Sequence, residues 1–159
     1  MIKDALKLMM RGTEDDVIEF IENARKEFKS LPPEEIAFPR TASNVQKYKS
    51  SSDIYVKGTP IHIRGALLFN YYLRKKKLTN KYSAIENGEK IKFLYLKKPN
   101  TIQENVLSFI QDFPTEFGLS QYIDYELQFE KSFVYPLKAI LDAIGWEVEK
   151  KVTLESFFS

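Results

Sequence analysis

Cysteine is absent from this 159-residue chain, and histidine occurs once, at position 62. Without cysteine the chain can form no disulfide, no thiolate nucleophile and no cysteine-ligated metal site. A single histidine excludes a histidine-rich metal site as well. These absences fit a reducing compartment and argue against both a disulfide scaffold and a zinc-ligand cluster.

The sequence also lacks the short motifs that carry phosphoryl-transfer or acyl-transfer chemistry. No glycine-rich loop ends in a lysine, and no G-x-S-x-G elbow is present. None of the seven aspartates forms an Asp-x-Asp pair that would hold two Mg²⁺ ions. Asp15 and Asp16 are adjacent, but neighbours on a helix point about 100° apart, so we interpret them as a solvated helix start. We therefore predict no catalytic residue, no metal site and no cofactor in this chain.

No apolar run reaches membrane-spanning length, and the N-terminus lacks the layout of a signal peptide. The hydrophobic content of 43% and the charged content of 29% are typical of a soluble globular protein. The length is that of one domain with a buried core.

Positive charge is concentrated in the middle of the chain. Residues 36–98 contain fourteen Lys or Arg against three Asp or Glu. Residues 1–35 contain six against nine, and residues 99–159 contain four against ten. A basic block between acidic ends is typical of a polyanion-binding face, and the alternative is a set of scattered, solvated lysines. The same block is rich in Tyr, Asn, Ser and Thr, which donate hydrogen bonds to phosphate.

Hydrophobic periodicity predicts a helix-dominated α+β fold with a small antiparallel sheet in the middle and a flexible C-terminal tail. One helix is predicted over residues 2–11. A second starts at the N-cap Thr13, buries Val17, Ile21, Ala24 and Phe28, and ends at Pro32. Further along we predict a short strand near 36–38, a brief helix or turn over 41–48 and a loop over 49–58. A helix follows from the Thr59-Pro60 cap to the basic run 74–77. Strands are predicted over 90–96 and 106–110, and a long helix over 125–144 is kinked at Pro136.

The last nine residues combine a polar segment with three large apolar side chains. Leu154, Phe157 and Phe158 fall at i, i+3 and i+4, so one helical turn places all three on one side. Such a face at a polar terminus is suited to a pocket on another protein. The alternative is that the phenylalanine pair packs on the chain's own core.

Five segments occur in a fixed order: RTASNVQKY at 40–48, PIHIRG at 60–65, ENGEKIKFLYLK at 86–97, LQFEKSFVYPL at 127–137 and KVTLESFF at 151–158. Together they resemble the C-terminal thumb region of family B replicative DNA polymerases, especially those of T-even-like bacteriophages. The resemblance implies palm-to-thumb connecting helices over 1–35, a thumb over 36–149 and a clamp-binding tail over 150–159. Lys151 stands where the usual clamp-binding peptide has glutamine.

The resemblance implies a chain that grips duplex primer–template DNA without sequence preference and tethers a polymerase to its sliding clamp during replication. The catalytic aspartates and their Mg²⁺ would belong to an upstream polymerase fragment that carries palm, fingers and exonuclease. The chain would then be either a separately encoded subunit of a split polymerase or an excised fragment, acting in the cytoplasm of an infected bacterial cell. One alternative is a stand-alone DNA- and clamp-binding accessory protein, and another is an unrelated enzyme whose site is assembled from scattered residues.

The DNA-contacting residues follow from the same resemblance and from the charge pattern. Lys47 and Tyr48 resemble a Lys-Tyr pair that contacts the duplex in this family. Lys131 matches a backbone-contacting lysine of the related chains, and Tyr135 stands where a related phage polymerase has a second lysine. The predicted DNA-binding residues are Lys47, Tyr48, Lys57, His62, Arg64, Lys90 and Lys131, and the predicted clamp-binding residues are Leu154, Phe157 and Phe158.

Overall fold

The computed structural model describes residues 4, 5, 7, 12–50 and 52–145. Its contacts divide the chain into a terminal unit of residues 1–31 and 125–159 and a central unit of residues 32–124. The predicted α+β class is confirmed, because helices accompany a three-stranded antiparallel sheet in the middle of the chain. The predicted boundaries at residues 35 and 149 concern polymerase domains and stay a prediction.

The described elements are as follows. The helices are α1 (Glu14–Lys29), α2 (Pro33–Ile36), α3 (Ile61–Lys75), α4 (Tyr125–Phe129) and α5 (Tyr135–Ala143). The strands are β1 (Phe38–Thr41), β2 (Lys90–Tyr95) and β3 (Val106–Phe109), and 3₁₀ turns cover Val45–Tyr48, Thr115–Phe117 and Ser120–Tyr122. None of the described helices has the length and apolar content needed to cross a bilayer. The helix predicted over residues 2–11 lies largely outside the described residues.

Helix α1 begins with a reciprocal capping box. The Thr13 hydroxyl accepts a hydrogen bond from the Asp16 amide at 3.3 Å, and the Asp16 carboxylate accepts one from the Thr13 amide at 3.0 Å. The four apolar positions predicted for this helix are its buried residues. The helix ends at Lys29 rather than at Pro32, because the amides of Ser30 and Leu31 bond three residues back and tighten the last turn.

The predicted long helix of the terminal unit is present, with a π-helical turn over Glu130–Val134 between α4 and α5. Pro136 has no N–H to donate and crowds the preceding turn. The Tyr135 amide donates to the Glu130 carbonyl, five residues back, so the wider turn lies directly before the proline. Phe129 is the centre of the core here: its ring lies 5.3 Å from that of Phe28 and 5.1 Å from that of Phe133.

The sheet of the central unit has the order β1-β2-β3. Both predicted downstream strands are present, but Ile36 belongs to the short helix α2, which Pro33 starts, and the first strand begins only at Phe38. Consecutive residues Phe93 and Leu94 of β2 are both buried, so both faces of this strand are covered. Lys90 is exposed as predicted.

Helix α3 starts at Ile61 with Pro60 at the N-cap. The predicted Thr59 cap is wrong, since the Thr59 hydroxyl donates to the Val56 carbonyl instead of accepting from the helix. The buried face is also broader than the predicted stripe, because the helix packs between β3 and the 3₁₀ turn at 45–48. Its buried residues are Ile63, Gly65, Ala66, Leu67, Leu68, Phe69, Asn70 and Leu73.

Candidate nucleic-acid interface

The structure places six of the seven predicted DNA contacts in the central unit and the seventh in the terminal unit. Those of the central unit are Lys47, Tyr48, Lys57, His62, Arg64 and Lys90, and that of the terminal unit is Lys131. The six come from residues 47 to 90, and the fold groups them in two places: two paired loop segments at 45–49 and 55–57, and the junction between β1 and α3.

The first group lies on two adjacent segments, 45–49 and 55–57, which we call the loop pair. The Val56 amide donates to the Tyr48 carbonyl at 3.0 Å, and Lys49 bridges Tyr55 in antiparallel fashion. This pairing places the segment that carries exposed Lys57 beside the one that carries Lys47. The Lys47 ammonium lies 5.5 Å from the centroid of the Tyr48 ring, within cation–π range. The loop pair therefore presents three exposed lysines, Lys47, Lys49 and Lys57, together with the half-buried phenol of Tyr48.

Arg64 connects α3 to this loop pair. Its Nη2 donates to Asn105 Oδ1 at 2.7 Å, and its guanidinium carbon lies 5.7 Å from the Tyr55 ring centroid. The Tyr55 hydroxyl donates in turn to Glu104 Oε1 at 2.7 Å. Burial raises the pKa of Tyr55, the hydrogen bond and charge of Glu104 raise it further, and Arg64 opposes both. The phenol thus stays protonated and keeps donating at neutral pH.

These contacts give Arg64 a structural role. Its predicted contact with a DNA phosphate stays a prediction. Arg64 holds Tyr55, and with it the loop pair, against the first turn of α3. Tyr55, Glu104 and Asn105 were missed by the sequence analysis. Glu104 and Asn105 lie about forty residues after Arg64 and Tyr55 lies on a separate loop, and no local pattern links these positions to Arg64. Only the folded chain brings them together.

The second group surrounds His62. Burial lowers the pKa of His62, the charge of Arg40 lowers it further, and a hydrogen bond with the Thr41 backbone opposes this shift. Thr41 is the cross-strand partner of Lys90 in the β1–β2 ladder. A cavity of about 420 Å³ at this edge is lined by Arg40, Thr41 and Lys90, together with Lys92. The junction therefore combines three cations with a histidine that is neutral at pH 7.

Arg40 and Lys92 are absent from the predicted set. Arg40 opens the first of the segments that carry the family resemblance, so a signal for it existed in the sequence. Lys92 is half-buried and its ammonium donates to the Glu34 carbonyl at 3.1 Å, which leaves two of its three protons for a ligand.

Lys131 is exposed on the π-helical turn of the terminal unit. Its ammonium lies 6.0 Å from the ring centroid of Tyr135, whose side chain is 52% exposed. The Tyr135 hydroxyl makes a long, 3.4 Å hydrogen bond to the Glu130 carboxylate. Tyr135 therefore presents a hydroxyl close to Lys131.

The predicted clamp-binding residues Leu154, Phe157 and Phe158 lie outside the described residues, and their role stays a prediction. Within the described part of the chain no cluster of three or more His, Asp or Glu side chains has the arrangement of a metal site. The predicted absence of a cofactor likewise stays a prediction.

Comparison with known proteins relates the chain to phage polymerases. No family model matches it. It is 27% identical over 161 residues to a DNA-directed DNA polymerase of Enterobacteria phage T4 and 28% identical over 162 residues to one of Escherichia phage RB69. Each alignment covers 99% of this chain, and the chain spans 17% of the length of each relative. The chain is thus similar, over nearly all of its length, to a region of T4-like phage DNA polymerases.

Proposed function

We propose that this chain is the thumb region of a family B phage DNA polymerase and that it grips the primer–template duplex without sequence preference. The observation that carries the proposal is that two phage DNA-directed DNA polymerases align with 99% of the chain, at 27% and 28% identity. Since the chain spans 17% of each relative, the proposal assigns it one part of the polymerase's work.

The surface of the central unit supports this role physically. Exposed Lys47, Lys57 and Lys90, with Arg40, can each neutralise a backbone phosphate. Such neutralisation releases counterions and gives affinity that depends on salt and not on base sequence. Contacts of this kind fix the position of a duplex without reading its bases. An enzyme that slides along its template needs affinity for the duplex that does not depend on base sequence.

The proposal includes a tether. Leu154, Phe157 and Phe158 would occupy a pocket on a sliding clamp, and this second contact raises the effective concentration of the polymerase on DNA without any new DNA contact. The catalytic carboxylates and their Mg²⁺ would reside in an upstream fragment with palm, fingers and exonuclease. The place of action would be the cytoplasm of an infected bacterial cell.

Complementation of primer extension tests the proposal. The purified chain is mixed with the polymerase fragment from its own source that lacks this region, on a primed template with Mg²⁺. We expect no extension by the chain alone, weak and distributive extension by the fragment alone, and long products from the mixture. A triple variant, Lys47→Ala with Lys57→Ala and Lys90→Ala, should shorten the products of the mixture.

Two results would contradict the subunit role. One is a mixture that co-elutes in gel filtration and yet extends primers no better than the fragment alone. The other is a chain that binds duplex DNA and clamp but never the polymerase fragment, which would identify a stand-alone accessory protein.

A further inference from the structure

We propose that the central unit also binds a single nucleotide, in a cavity that the predicted duplex contacts do not use. The cavity measures about 530 Å³ and lies between the segments 45–50 and 52–54, helix α3 and the segment 84–86. Small-molecule sites typically measure about 300–1,000 Å³. This inference goes beyond the proposed function, because gripping a duplex requires an exposed surface and no cavity.

One wall of the cavity is fixed by a buried amide. Asn70 of α3 is 9% exposed, and its Nδ2 donates to the Ile85 carbonyl at 2.9 Å. Its Oδ1 accepts from the Ile85 amide at 2.7 Å. Because both ends of the amide are satisfied, Asn70 holds the segment 84–86 on the helix and leaves ligand contacts to other residues. The cavity is therefore formed before any ligand arrives.

The remaining lining residues match the parts of a nucleotide. Tyr71 lines the cavity and is 36% exposed. Its ring meets Tyr72 edge to face at 4.9 Å and lies 5.8 Å from the Lys75 ammonium, and the exposed part of the ring can stack on a base. Apolar side chains complete the base-binding surface: Val45, Ile54, Leu67 and Ile85. Lys49 and Arg74 also line the cavity, and their side chains have no hydrogen bond or ion pair with any described residue. These two cations are available for a phosphate.

The charge balance of the lining decides between a nucleotide and a simple anion. Asp53 and Glu86 also face the cavity, so its two cations are matched by two carboxylates. A bare phosphate gains little from such a lining, since the carboxylates repel it. A ligand with a phosphate at one end and an amino-bearing base at the other satisfies both signs. Deoxyadenosine monophosphate has this chemistry, both as a free nucleotide and as an unpaired nucleotide of single-stranded DNA.

Calorimetric titration of the full chain tests the inference. The probes are deoxyadenosine monophosphate, deoxyadenosine, inorganic phosphate and a five-nucleotide single-stranded oligodeoxyadenylate. We expect the monophosphate to bind at least about tenfold more tightly than the nucleoside or inorganic phosphate, because only it engages both the ring and the cations. Tighter binding of the oligonucleotide than of the monophosphate would identify single-stranded DNA as the source, and the reverse would identify the free nucleotide.

Matched variants assign the binding to this cavity. Tyr71→Ala should weaken monophosphate binding about tenfold, whereas Tyr71→Phe keeps the ring and should bind almost as wild type. Arg74→Gln should weaken binding, and Lys76→Gln, which removes the same charge two residues away and outside the cavity, should not. Circular dichroism checks that each variant is folded.

The inference is overturned if inorganic phosphate binds as tightly as the monophosphate, or if Lys76→Gln and Arg74→Gln weaken binding equally. Either result would mean general attraction of anions. Affinity for a blunt duplex should not change in Tyr71→Ala, so this site can fail while the proposed duplex contact stands.

Discussion

Gly65 of α3 packs directly against Ser108 of β3. A Cβ atom at position 65 would lie 2.4 Å from Ser108 Oγ and 2.7 Å from the Ser108 amide nitrogen. The same hydroxyl donates to the His62 carbonyl at 2.8 Å. These two contacts hold the first turn of α3, with His62 and Arg64, against the sheet. The positions of His62 and Arg64, two predicted DNA contacts, thus depend on a residue without a Cβ atom at position 65.

Gly65→Ala should destabilise the protein. Alanine favours a helix interior by about 1 kcal/mol over glycine, but overpacking a tight contact costs about 1–3 kcal/mol. The clash includes backbone atoms of β3, which cannot rotate away, so we expect a net loss of about 1–2 kcal/mol in the free energy of unfolding. Urea denaturation followed by circular dichroism measures it. Ser108→Ala, which removes only the hydrogen bond to His62, should lower the free energy of unfolding by less. A Gly65→Ala protein that is more stable than wild type would show that β3 moves to make room for the methyl group.

Lys47→Ala and Lys131→Ala should each weaken duplex binding regardless of base sequence. Each lost phosphate contact should reduce the slope of log affinity against log salt by about 0.9. Fluorescence anisotropy with two unrelated duplexes, at several salt concentrations, measures both effects. Lys26→Ala removes an exposed charge of α1 that we place outside the interface, and its slope should equal that of wild type. An unchanged slope for either test variant removes that lysine from the interface.

Duplex affinity should depend on the protonation of His62. Burial first, then the charge of Arg40, holds the pKa of His62 below its ordinary 6.5. A phosphate beside the ring would raise this pKa, so binding would take up a proton and affinity would rise as the pH falls through the pKa of the bound state. We expect anisotropy titrations at pH 7.5 and pH 5.5 to show this rise in wild type and to lack it in His62→Gln.

The same pKa shift has the opposite effect on folding. The unfolded chain binds a proton at His62 more readily than the folded one, so this contribution to stability is present above pH 6.5 and is lost as the pH falls toward the lower pKa of the folded state. Circular dichroism at pH 5.5 must therefore confirm that the protein is folded. If duplex affinity depends on pH in the same way in wild type and in His62→Gln, His62 does not belong to the interface.

Phe157→Ala combined with Phe158→Ala should abolish binding to the sliding clamp and leave duplex affinity nearly unchanged. The two rings would supply most of the apolar area that enters the clamp pocket. Surface plasmon resonance with immobilised clamp measures the first effect, and anisotropy measures the second. Lys151→Gln, which restores the usual first residue of the peptide, should bind the clamp at least as well as wild type. Equal loss of clamp and duplex binding would mean that the phenylalanines belong to the core.

Local patterns predicted the elements whose cause is local. Thr13 and Asp16 are three residues apart and cap α1 by themselves, and the four buried positions of that helix recur at the helical period. Pro136 disturbs the helix around it for a covalent reason, the missing N–H. Thr59 looks equally like a cap, yet Pro60 occupies the N-cap of α3, and the Thr59 hydroxyl donates to the Val56 carbonyl.

The sequence by itself determined the helix stripes, the strands, the concentration of cations in residues 36–98 and the absence of short catalytic motifs. Each of these depends on residue type and on neighbours within a few positions. The tertiary structure alone decided that Arg64 holds Tyr55 and Asn105, that Arg40 depresses the pKa of His62, and that Lys49 and Arg74 share a cavity with Tyr71. Those relationships join side chains from different segments of the chain, and only the packing of the folded chain brings such segments within reach of a hydrogen bond or a charge.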